Sequence, residues 1–310
     1  MPASGIVTMI RAVGIVSALL FAASAAAMAH AAPADNDRDR DSEVTLQEAP
    51  ELSIDGSVFD GDFLTIGAGA VVAPSYEGSN NYVLFPGPAV IGRVEGINFI
   101  TRGTGISADL WTNNRDRDFD LVLGPVARVR FSRVSLGSIN DPVVEALGDV
   151  SLPLELGISA GFQWSKVLNP VDNLTAALEV KHDVAGAHKG MVVSPYLTYF
   201  TPVSRGIALT ATLSAELVDN DFADTYYSVD AEGSAASGLP EFDAGGGLKN
   251  IGMFLLVGFD LDGDLTNGGF AIFGAAGYDR LFEDARRSPL VSLRGDDDQF
   301  VGALGIGYTF

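Results

Sequence analysis

The 310-residue sequence predicts an all-β chain, a transmembrane antiparallel β-barrel of about twelve strands. Three observations carry that prediction. Apolar residues alternate strictly with small or polar ones along most of the chain, in stretches longer than the 5 or 6 residues usual for soluble strands. Beyond the N-terminal segment, no run of about 18 apolar residues offers a spanning helix. The chain also ends on an alternating strand whose last residue, Phe310, falls in phase with the apolar row.

In chain order, the first element is an export signal. Arg11 is followed by an Ala-rich apolar stretch from residue 12 to residue 29, and small residues offer A-x-A cleavage at Ala27-Met28-Ala29 or Ala29-His30-Ala31. A positive start, an apolar middle and a small-residue exit define a cleaved secretory signal over residues 1–31. Residues 32–62 carry ten acidic side chains against Arg38 and Arg40, too much charge to pack a core, and read as a disordered acidic leader. Residues 63–310 are the barrel.

The expected strands are 63–73, 84–94, 96–101, 104–112, 118–132, 148–165, 172–184, 190–202, 205–217, 243–262, 268–281 and 298–310. The clearest is the sixth. Val150, Leu152, Leu154, Leu156, Ile158, Ala160, Phe162 and Trp164 alternate with Ser151, Pro153, Glu155, Gly157, Ser159, Gly161 and Gln163. Hydrocarbon cannot solvate polar groups, so one row must be apolar, whereas the enclosed row is free to be small, polar or charged. On that basis Arg128, Arg130, Glu155, Glu179, Lys181 and Glu216 are expected to face the lumen. Trp111, Trp164, Tyr199, Phe200, Tyr278 and Phe282, near strand ends, fit interfacial girdles.

Two stretches are ambiguous. Residues 96–112 read as two strands or one bent strand. In 243–262 the apolar phase moves from even (Ala244, Leu248) to odd (Met253, Leu255) around Lys249-Asn250, which signals a bulge or a hairpin turn. With both ends of the barrel in the periplasm, the longer connections 74–83, 133–147, 218–242 and 282–297 fall outside. The short turns 113–117 and 201–204 then face the periplasm.

Composition removes several function classes. The net charge of −21, from 19 basic and 40 acidic residues, opposes nucleic-acid binding and suits water, cations or a basic partner. The absence of Cys excludes disulfides, thiolate metal sites and a lipidated N-terminus. Of the three histidines, His30 sits at the signal exit and His188 in a loop. His182-Asp183 could supply half of a dyad, although a rim or lumen position suits it better. No metalloprotease, P-loop or dinucleotide fingerprint occurs. Asp260-Leu261-Asp262-Gly263-Asp264 fails the calcium-loop pattern because its twelfth position is Ala271 rather than Glu. Asp296-Asp297-Asp298 suits a solvated loop better than a divalent-cation site. Neither catalysis nor a cofactor nor a metal is expected.

Several segments, in order over residues 60–310, resemble the MipA/OmpV family. They are Pro74-Ser75-Tyr76-Glu77-Gly78-Ser79 with Phe85-Pro86-Gly87-Pro88, Thr225-Tyr226-Tyr227-Ser228-Val229, and Ser237-Gly238-Leu239-Pro240. Ala244-Gly245-Gly246-Gly247-Leu248-Lys249-Asn250, Ser288-Pro289-Leu290-Val291, Asp298-Gln299-Phe300 and Gly307-Tyr308-Thr309-Phe310 continue the series. The chain departs from the family at Tyr227-Ser228-Val229-Asp230, where Phe-Gly-Val-Ser is usual, and in its longer acidic leader.

The resemblance implies an outer-membrane protein of a Gram-negative cell. It implies a scaffold joining a lytic transglycosylase to a penicillin-binding murein synthase, or else a narrow porin-like channel or an adhesin acting through outer loops, chiefly 218–242. Lipid and the outer-membrane assembly machinery are the other expected partners. The closing strand resembles the signal that this machinery reads, with Phe300, Tyr308 and Phe310 as its aromatic positions.

Overall fold

The computed structural model describes residues 57–111, 118–134 and 139–310. The expected signal, most of the leader and the turn 113–117 lie outside the described residues. Twelve antiparallel strands close into one barrel, each bonded to its sequence neighbour, with the last returning to the first. They are β1 (Phe63–Pro74), β2 (Tyr82–Val94), β3 (Ile97–Arg102), β4 (Gly105–Asp109), β5 (Phe119–Val129), β6 (Leu154–Ser165), β7 (Asn173–Asp183), β8 (Met191–Ser204), β9 (Ile207–Val218), β10 (Gly247–Asp260), β11 (Gly269–Leu281) and β12 (Asp298–Thr309). Closure pairs β1 with β12 from Thr65 opposite Thr309 to Val72 opposite Gly302, so neither terminal strand is left as an open edge of the sheet.

Both ambiguous stretches are resolved by pairing. Residues 97–109 form two short strands joined through a turn at residues 103–104. The phase change near residue 249 is a β-bulge: β9–β10 pairing slips between Leu248 and Asn250, and both Lys249 and Asn250 become buried.

Several boundaries differ from the sequence reading. β6 begins at Leu154, because Val150 is instead held in a parallel bridge with Val134. β10 begins at Gly247 and β4 ends at Asp109. The stretch 201–204 is not a turn. β8 runs through Ser204 with an irregularity between Pro202 and Ser204, and the hairpin turns at residues 205–206. The end of the expected leader, residues 57–62, lies within the described residues and is folded. Val58–Asp60 forms a 3-10 turn with Ser57 and Asp60 in a capping box, and the Val58 N–H donates to the Thr266 carbonyl at 2.7 Å.

The outward face carries exposed apolar side chains all round the barrel, Leu84, Ile158, Met253, Leu304 and Ile306 among them. Aromatic residues gather at its two rims. Phe119, Phe162 and Trp164 cluster at one rim, where Phe270, Tyr308 and Phe310 also meet. Tyr278 and Phe300 pack at the other, 5.2 Å apart. Phe200 and Phe282 do not join them. Phe200 shares the inward phase of Tyr196 and Thr198, and Phe282 caps a helix beyond β11.

The largest difference lies in the long connections. Three of the four contain helices: α1 (Pro142–Glu145), α2 (Asn220–Tyr227), α3 (Ala231–Ser237), α4 (Glu283–Arg287) and α5 (Pro289–Ser292). α2 is capped by Asp219, whose carboxylate accepts from the N–H of Phe222 and also from that of Met191 at the start of β8. Its buried face, Phe222, Ala223, Tyr226 and Tyr227, packs with Val192, Ala244, Leu281, Ala285 and Val291 into a hydrophobic core. Tyr76, Val144, Val229, Leu239 and Leu290 form a second. These helices build a packed cap on the outer end of the barrel.

Candidate functional site

Between the cap and the barrel lies a network of buried charges. Side chains of alternate residues in β5, β6, β7, β9 and β10 point into the enclosed space, as the pairings Arg128–Glu155 and Glu155–Asp183 require. Arg128 on β5 forms an ion pair with Glu216 on β9. Those strands stand four apart in the wall, so the contact crosses the interior. Arg130, just beyond β5, is 3% exposed; it meets Glu155 at 3.0 Å, Glu216 at 3.6 Å and, from the β1–β2 loop, Glu77. Lys249, placed inward by the bulge, meets Glu77 at 3.0 Å and also pairs with Glu216. Lys181 donates to Glu179 at 2.6 Å and to the Ser194 hydroxyl at 3.1 Å.

The cap reaches down onto this network. The Phe222 ring lies 4.9 Å from the Arg130 guanidinium and 5.5 Å from the Lys249 ammonium, both cation–π distances. The Tyr227 hydroxyl donates to Glu77 at 3.0 Å. His188, fully enclosed, stacks edge-on against Phe222 and brings Nε2 to 3.4 Å from Glu155. Burial pushes the Glu77 carboxyl up, but the Arg130 and Lys249 cations outweigh it and hold it down to about 2. Burial raises the Tyr76 phenol to about 12 and, with Glu77 beside it, raises Tyr227 well above its ordinary value.

Of the six charged residues named from the sequence, Arg128, Arg130, Glu155 and Glu216 meet in this network, while Glu179 and Lys181 pair with each other on β7. Sequence reasoning missed Glu77, His188 and Lys249, which complete the network. Glu77 and His188 lie in connections, where no alternation assigns a face, and Lys249 lies inside the phase change itself. The dyad at His182-Asp183 is excluded by strand geometry, because adjacent residues face opposite ways. His182 is exposed on the outer side, while Asp183 is buried and accepts backbone N–H groups of Ala185, His188 and Lys189. Asp296, Asp297 and Asp298 bring carboxylate oxygens within 4.8 Å of one another, but Arg280 and Arg286 pair with two of them, which suits a solvated loop.

A closed twelve-strand barrel, belted outside by apolar and aromatic residues and enclosing a cluster of buried charges, is an integral β-barrel of the Gram-negative outer membrane. The family model described as "MltA-interacting protein MipA" matches residues 66–310, and the chain belongs to that family. No curated protein matches the sequence closely. Among solved structures, the COG4313 outer membrane channel from Pseudomonas putida F1 is 10% identical, with 81% of this chain and 96% of that chain covered and a TM-score of 0.42. A Pseudomonas aeruginosa FadL homologue is also 10% identical, with 80% and 90% covered and a TM-score of 0.32. OmpT of Vibrio cholerae is 8% identical, with 80% and 97% covered and a TM-score of 0.33.

Proposed function

We propose that this protein is a structural scaffold of the outer membrane that presents its periplasmic face to murein-remodelling enzymes and catalyses no reaction itself. The observation that carries the reading is the sealed outer end. Glu77, Arg130, Glu155, Glu216 and Lys249 fill the mouth beneath a packed helical cap, which suits a rigid anchor better than an open axial pore. The family description, MltA-interacting protein, supports a murein-enzyme partner; the partners proposed are a lytic transglycosylase and a penicillin-binding murein synthase. The adhesin reading is weakened, because the connection 219–246 is folded into the cap core instead of projecting.

The acidic balance of the chain favours a basic partner surface at the periplasmic turns, where Asp118 and Asp262 are exposed. Affinity capture from detergent extracts should recover a transglycosylase or murein synthase, and Asp118→Lys with Asp262→Lys should reduce that recovery severalfold. Recovery of assembly factors and chaperones alone would remove the scaffold reading. Phe300, Tyr308 and Phe310, exposed along the closing strand, are proposed as the positions that the assembly machinery reads.

A further inference from the structure

The barrel wall is interrupted at one place. β2 pairs with β1 along its whole length, from Arg93 opposite Phe63 to Tyr82 opposite Pro74. With β3 it pairs only from Ile91 opposite Ile100 to Val94 opposite Ile97. Above that, the β3–β4 hairpin turns at residues 103–104, and only the Thr101 hydroxyl continues the contact, accepting from the Val90 N–H at 2.9 Å and donating to its carbonyl at 3.0 Å. Among the described residues, 82–89 of β2 thus have no strand on that side. The hairpin tip is held across from it on β5, where the Val129 N–H donates to the Thr104 carbonyl at 3.3 Å. A roof closes the opening: the Glu77 N–H donates to Ser132 Oγ at 3.0 Å and the Glu77 carboxylate pairs with Arg130. β2, the hairpin, β5 and the β1–β2 loop therefore frame a window in the outer half of the wall.

The sequence is fitted to that window. Backbone N–H groups alternate sides along a strand, so the positions in phase with Val90 turn theirs towards the missing neighbour. Two of them are Pro86 and Pro88, which have no N–H to leave unpaired and cannot accept an added strand. The inward-facing residues beside it are Val71, Phe85, Gly87 and Ala89, all apolar or bare, and Ala89 is exposed although it faces inward. Beyond the opening, Arg102 on β3 reaches across the interior and lies 4.0 Å over the Tyr196 ring of β8. Its Nε has no hydrogen-bond partner, and among the described residues no carboxylate pairs with it. Arg128, Arg130, Lys181 and Lys249 all have one.

We infer that the window admits single-chain amphiphiles with one anionic head from the outer leaflet into the lumen, where Arg102 takes the head. The apolar jambs suit the chain, and the unpaired guanidinium suits a carboxylate. This passage is independent of the scaffold reading, since it uses neither the cap nor the periplasmic turns. The test uses a dansyl-labelled undecanoate and its neutral amide, titrated into the protein in detergent micelles.

The native chain should bind the carboxylate saturably, and Arg102→Gln should weaken it about tenfold while leaving the neutral amide within about twofold. Because the chain has no Cys, Thr104→Cys and, on the lipid face of the closing strand, Gly302→Cys can be labelled with a bulky maleimide after folding. A label at position 104 should block binding and one at 302 should not. Unlabelled undecanoate should displace the probe and phosphatidylglycerol should not. Absence of saturable binding, no effect of the label at 104, equal loss of both probes in Arg102→Gln, or displacement by phosphatidylglycerol would each overturn the inference.

Discussion

Arg130 shows what an enclosed barrel asks of a charged side chain. It is nearly inaccessible and meets three carboxylates on three different segments, Glu77, Glu155 and Glu216. Removing one member of such a set leaves buried charge without compensation, which costs about 3–5 kcal/mol. Arg130→Met should therefore lower the temperature at which the folded band converts to the unfolded band on gels, and Arg130→Met with Glu155→Gln should recover part of the loss. An unchanged conversion temperature in the single variant would contradict the role assigned to the network.

Glu77 gives the pH dependence. Its carboxyl is held at about 2 in the folded state, against an ordinary 4.5. The unfolded chain thus takes up this proton first as pH falls. The stabilisation from Glu77 is complete above about 4.5 and is lost progressively towards 2. The protection of the α2 amides, measured relative to their intrinsic exchange rates, should fall as pH drops over that interval and stay flat above it. Glu77→Gln should remove the Glu77 share of that fall. Protection that is independent of pH in the native chain would contradict this role for Glu77.

At the level of elements, the cap is the part that decides whether the barrel conducts. α2 holds the mouth through Phe222 over Arg130 and Lys249, and through Tyr227 on Glu77. The C-terminus of α2 is further tied to the last outer loop where the Ser288 hydroxyl donates to the Tyr227 carbonyl at 2.6 Å. Replacing residues 221–243 by a short Asn-Gly turn should open the axial route. Planar-bilayer recordings should then show single-channel steps that the native protein lacks; steps of the same size in both would mean that the cap seals nothing.

The strands were legible because their period is imposed by lipid along a whole element. A helix of seven or eight residues such as α2 or α3 leaves a weaker trace, since its apolar positions are few and its formation rests on tertiary burial more than on propensity. The same reason explains the boundary at Leu154. Residues 150–153 keep the alternation, yet pairing with β5 and β7 begins only at Leu154 and Glu155, so periodicity persists beyond the ladder that gives it meaning.

For the molecule as a whole, the sequence by itself determined the number of strands, the alternation of faces along the regular strands, the closing strand and the outer-membrane setting. All of these follow from a local rule, that a side chain meeting hydrocarbon must be apolar and its neighbour need not be. It also assigned Arg128, Arg130, Glu155, Glu179, Lys181 and Glu216 to one face, because each lies within an alternating run. What it left open was which of them meet. Arg128 and Glu216 are 88 residues apart, and Glu77 reaches Tyr227 across 150. Closure of the sheet and collapse of the outer connections decided those partners, the seal at the mouth and the window beside β2. Each depends on how far one strand reaches past another, and that register is a property of the assembled sheet.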